Sequence, residues 1–101
     1  MRAKPECIQQ LHAKLNEASR IYSQDRETIS WFVMQSVHDP QDFTIVERYE
    51  RESSQEYHLR NPYWKTFDAF VVPLLERTMD LRRYEELVSR RGEEVLLKGS
   101  V

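Results

Sequence analysis

The sequence predicts an α+β fold, a small antiparallel sheet with helices on one face. Three observations lead there. An apolar stripe at helical spacing runs through Ile8, Leu11, Leu15, Ala18 and Tyr22. Two runs rich in β-branched and aromatic residues follow, 28–38 and 43–49, joined by Asp39-Pro40-Gln41-Asp42. A second helical stripe then passes through Trp64, Phe67, Val71, Leu74, Leu75 and Thr78.

The first helix is expected over 5–22. Pro5 suits its first turn, where the missing N–H costs nothing. The two strands form a hairpin, and alternation assigns their faces. Ile29, Trp31, Val33 and Val37 share one face of the first strand, and Phe32 and Met34 lie on the other. On the second strand Phe43, Ile45 and Tyr49 share a face with Glu47, and Val46 lies behind. Apolar groups thus stand on both faces of the sheet. Helices cover one, so the other calls for a second copy of the chain or for the segment beyond residue 79.

Ser53-Ser54-Gln55-Glu56 has the pattern of a capping box, opening a short helix to Leu59. Asn61-Pro62 reads as a second start, Asn61 capping and Pro62 in the first turn. Pro73 falls inside the second stripe and should kink that helix. Residues 81–88 fit either a helix or an edge strand, and 89–101 reads as a tail or an arm. The expected organisation is one domain over 1–88 with that tail behind it.

The chain has 101 residues, 15 basic and 17 acidic, so its net charge of −2 offers no basic excess for nucleic acid. Apolar residues at 40% and aromatics at 11% are too many for a disordered chain. No apolar run approaches the length of a membrane span, and the first residues have no signal-peptide pattern. The expected compartment is cytoplasmic. The single cysteine, Cys7, rules out an internal disulfide and a cysteine-rich zinc site. The two glycines, Gly92 and Gly99, make no phosphate loop.

Asp39-Pro40-x-x-Phe43-x-x-x-Glu47-x-Tyr49, followed by His58-x-x-x-Pro62-Tyr63-Trp64-x-x-Phe67, resembles the antibiotic biosynthesis monooxygenase domain family. The resemblance spans about residues 4–88. It implies a ferredoxin-like βαββαβ sandwich that pairs into a dimeric α/β barrel, and it turns 81–88 towards a strand. The family opens with a full strand, whereas only Met1-Arg2-Ala3-Lys4 precede Pro5 here. The segment around Val95-Leu96-Leu97, from this chain or a neighbour, is the candidate to fill that place.

The resemblance also implies a small oxygenase that needs no metal, flavin or haem and takes dioxygen as co-substrate, with haem binding through His58 as an alternative. Such an enzyme must make its substrate the electron donor. It needs a base of suitable pKa, polar groups for the anion that forms and an apolar wall. His58 is the candidate base, since histidine titrates near neutrality; its structural role would be to hold a neighbouring carbonyl. Asn61 and Tyr49 are candidate polar anchors, Asn61 also being a cap. Trp31, Tyr63, Trp64, Phe67 and Phe70 are candidate walls, although helical spacing alone makes Trp64 and Phe67 core residues. Glu47 needs a partner on its apolar face, with Arg48 or a neighbouring chain's Arg83 as the expected one. His12 and His38 read as surface residues, and no spacing suggests a metal site. The partners expected are a small hydrophobic substrate and a second copy of the chain. A non-catalytic ligand- or protein-binding dimer is the competing expectation.

Overall fold

In a computed structural model the chain is described over residues 1–51, 53–54, 58, 60–87 and the backbone of 95–100. A 3-10 turn at Pro5–Cys7 leads into helix α1, Ile8–Tyr22. Strands β1, Thr28–Gln35, and β2, Phe43–Tyr49, follow. Helix α2, Tyr63–Val71, runs into a 3-10 turn at Val72–Leu74. Strands β3, Leu81–Glu86, and β4, Val95–Ser100, complete the order. This is a ferredoxin-like α+β arrangement, two helices on one face of an antiparallel sheet.

The periodicity of each element decides what it buries. α1 turns Leu11, Leu15, Ala18 and Tyr22 inward, the stripe expected from the sequence. α2 turns in Phe67 and Val71. β2 alternates without a fault: Phe43, Ile45, Glu47 and Tyr49 are all buried beneath the helices. β1 opposes it with Trp31 facing Glu47 and Val33 facing Ile45. An irregularity between Thr28 and Ser30 shifts the register at the start of β1. The core joins Leu11, Leu15, Tyr22, Trp31, Ile45, Phe67 and Val71 with Met1 and Ala3.

Two expectations need correction. β1 stops at Gln35, so Val37 lies beyond the strand and is exposed. Pro73 does not kink a long helix. α2 ends at Val71 and the proline sits in the 3-10 turn, so Thr78 lies past the helix and is exposed. The missing N–H of proline and its crowding of the preceding turn stop the α-helical ladder there. Residues 81–86 are a strand, which resolves the ambiguity of that stretch. The expected capping box depends on Glu56, which lies outside the described residues, as does Leu59.

The short opening strand has a structural answer. The sheet order is β1-β2-β4-β3. Arg2 bridges Asp42 and Ala3 bridges Leu75, so the first residues occupy only the end of a strand position beside β2. β4 occupies the rest of it. Met1 exchanges backbone hydrogen bonds with Phe43, while Ser100 opposes Ile45 and Leu96 opposes Tyr49. Both segments run antiparallel to β2, so they lie in one line along its edge. The filler expected from the Val95–Leu97 segment thus comes from this same chain.

Candidate active site

Glu47 lies at the centre of a buried polar chain. Alternation along β2 points its carboxylate under the helices, where only paired charges are tolerated. Oε1 accepts a hydrogen bond from Trp31 Nε1 at 2.6 Å and another from Tyr49 Oη at 2.9 Å. His58 Nε2 stands 3.5 Å from the same oxygen. Arg48, one of the expected partners, is elsewhere: it pairs with Glu86 at 2.7 Å.

The other ring nitrogen of His58 faces a second carboxylate. Nδ1 lies 3.2 Å from Asp25 Oδ2, and Asp25 Oδ1 accepts from Asn61 Nδ2 at 2.9 Å. An imidazole with a carboxylate at each nitrogen can donate to both only when doubly protonated. The ring is fully buried, tilted against Tyr22 at 4.2 Å and Tyr49 at 5.5 Å, centroid to centroid. Burial first, and the Glu47 charge second, push the Tyr49 phenol far above its ordinary pKa. Tyr49 therefore remains a donor to Glu47 and does not serve as an anionic base. Burial likewise raises the Tyr22 phenol.

Asn61 precedes the N-cap of α2, which is Pro62 and not Asn61 as expected. Its Oδ1 still accepts the Tyr63 backbone N–H two residues on at 3.0 Å, while its amide nitrogen donates to Asp25. α2 carries the aromatic residues: Trp64 stacks on Phe67, and Phe67 meets Trp31 edge-on. Tyr63 lies edge-on to Tyr22, and its hydroxyl donates to Glu17 at 3.0 Å. Phe70 stands apart from this group. It lies half-exposed with the Lys14 ammonium 5.0 Å above its ring, because its position on α2 faces away from the sheet.

Trp31, Tyr49, His58, Asn61, Tyr63, Trp64 and Phe67 are thus brought together, and Phe70 is not. Sequence reasoning missed Asp25. It sits in the turn after α1, 33 residues from His58, and no periodic pattern marks it. Beside it an open cavity of about 410 Å³ is lined by Asp25, Arg60, Asn61 and Pro62. His12 and His38 are exposed, as expected. Among the described residues no group of three His, Cys, Asp or Glu side chains could hold a metal ion. Nor does His58 suit a haem iron, since the ring would have to leave both carboxylates and its aromatic packing to reach one.

A ferredoxin-like domain with a buried polar chain under aromatic helices is the class that fold and site define. The family model of antibiotic biosynthesis monooxygenase matches residues 1–69, and the chain belongs to that family. No curated protein and no solved structure matches it. No described helix is long and apolar enough to cross a membrane.

Proposed function

We propose that this chain is a cofactor-independent monooxygenase acting on a small hydrophobic molecule, either a polyketide aromatic or an oxidised fatty acid. The observation that carries the reading is the Asp25–His58–Glu47 chain, buried against Trp31, Tyr49 and Phe67. Membership of the family supports it. Dioxygen reacts slowly with closed-shell organic molecules, so an activated CH2 group must first lose a proton to a base. The resulting anion reduces dioxygen. The CH2 carbon becomes a carbonyl with one oxygen atom, and the second oxygen leaves as water with the two hydrogens.

In this reading His58 is the buried base of the network and is reached by the substrate proton only through Asp25, the member of the chain that lines the cavity; Asn61 and Tyr49 are its polar anchors, and Trp31, Tyr63, Trp64 and Phe67 are the wall. The working form is a cytoplasmic homodimer. Phe32 at 58% exposure, Met34 at 48% and Tyr84 at 50% support the dimer. Phe32 and Met34 lie on the face opposite Trp31, beside Val46, and exposed apolar clusters mark interfaces.

An oxygen electrode tests the activity. With anthrone as substrate and EDTA present, the protein should consume oxygen faster than buffer. His58→Ala should lower that rate by about 100-fold, the usual scale for loss of acid–base catalysis. No rate above buffer across anthrone, related autoxidisable phenols and β-keto acids would exclude the reading. The second reading, a non-catalytic ligand-binding domain, is favoured by one observation: Trp31, Tyr49 and Phe67 are packed on one another with almost no exposed surface. Saturable binding of anthrone without oxygen uptake would select it.

A further inference from the structure

His58 has no exposed surface, so a substrate cannot touch it in this arrangement. The side chain of Asp25 is 12% exposed and is the member of the chain that lines the cavity. That cavity, about 410 Å³, lies within the range of small-molecule sites. Among the described residues its lining is mixed in character: acidic Asp25, basic Arg60, the amide residue Asn61 and apolar Pro62. Arg60 is exposed and brings the only cationic side chain among them.

We propose that this cavity is a substrate site for small enolisable anions, β-keto acids in the simplest case, with Asp25 as the residue that takes the substrate proton and Arg60 as the fork that holds the substrate carboxylate. The proposal rests on the monooxygenase reading and narrows its substrate class from neutral aromatics to oxidised fatty acids. Guanidinium and carboxylate match in shape as a bidentate pair. With the carboxylate on Arg60, the activated carbon of a β-keto acid lies one bond further on, and Asp25 is the carboxylate among the described lining residues that can take its proton. Its C–H bond breaks, the electron pair passes into the enolate, and the proton lodges on Asp25. His58 lies behind Asp25 at 3.2 Å and Asn61 beside it at 2.9 Å, so the carboxylate is held in one orientation before the substrate arrives. No oxidant is needed for this step, which can therefore be measured apart from the reaction with dioxygen.

The test uses the full chain in D2O under argon, following methylene exchange by proton NMR. The probes are acetoacetate and its uncharged methyl ester. Protein should accelerate exchange of acetoacetate by about 100-fold or more over buffer, as general-base catalysis does. Asp25→Asn should return exchange to the buffer rate. Arg60→Gln, an exposed substitution that leaves the core intact, should raise the KM for acetoacetate by about 10-fold and leave kcat and the ester unchanged. Overturning results are no acceleration with acetoacetate, wild-type exchange in a folded Asp25→Asn, or an unchanged KM in Arg60→Gln. Parallel oxygen uptake in air separates the two readings. Exchange without uptake supports this site and removes the monooxygenase. Uptake with anthrone that survives Asp25→Asn overturns this site and keeps the monooxygenase.

Discussion

Glu47 shows how far one residue can be read in advance. Strand alternation alone places it in the core, and its carboxylate then needs donors. They are Trp31 and Tyr49 on a single oxygen, with His58 Nε2 standing 3.5 Å from it. Glu47→Gln keeps the shape and loses the charge. It should cost about 3 kcal/mol of stability, the scale for breaking a buried charged network, read as a lower urea midpoint at unchanged slope. A second residue carries a pH dependence. The Arg2 guanidinium stands 2.8 Å from Asp39 and 2.8 Å from Asp42. Arg2, followed by the Gln41 backbone N–H, holds the Asp39 carboxyl below its ordinary range. A carboxyl lowered in the folded state stabilises above its unfolded pKa and loses that contribution as pH falls through the folded value. Thermal unfolding of the wild type and of Arg2→Gln should therefore differ most near neutrality. The two curves should begin to converge below about pH 4, where the unfolded aspartate protonates, and meet only below the lowered Asp39 value.

At the scale of elements, α2 and β4 depart furthest from what pattern alone suggests. The α2 stripe continues through Pro73 on paper, but the backbone cannot follow it. Within the helix the stripe is sound: Phe67 packs against Tyr22, Trp31, Tyr63 and Trp64. Phe67→Ala should cost about 4 kcal/mol, as large core truncations do, and calorimetry would show it as a lower Tm. β4 lies between β2 and β3 along the edge that the opening residues leave open. A chain ended at residue 87 should expose the β2 edge, and amides over 45–49 should exchange at least about 10-fold faster. Unchanged protection would show that β4 does not hold that edge.

Among the described residues the domain has two layers, the helices covering one face of the sheet and leaving the other open. Phe32 and Met34 are on the open face, and their exposure makes it the natural place for a second copy. Phe32→Lys should turn a dimer into a monomer in sedimentation velocity at micromolar concentration while leaving the fold intact. A wild-type chain already monomeric under those conditions would remove the dimer.

The sequence by itself determined the two helices, the hairpin and the two-sided sheet, because periods of 3.6 and 2 are local properties of the backbone. It also singled out His58, Tyr49, Asn61 and the aromatic residues of α2 through the family pattern. Tertiary structure decided the rest. Asp25 reaches His58 only because the turn after α1 packs against the start of α2. Glu47 finds one donor, Trp31, across the strand pair, while Tyr49 follows it two residues on along β2 itself. β4 enters the sheet because β2 would otherwise keep unpaired N–H and C=O groups along one edge. Contacts between residues far apart in the chain follow from closure of the sheet and docking of the helices, and no local period encodes them.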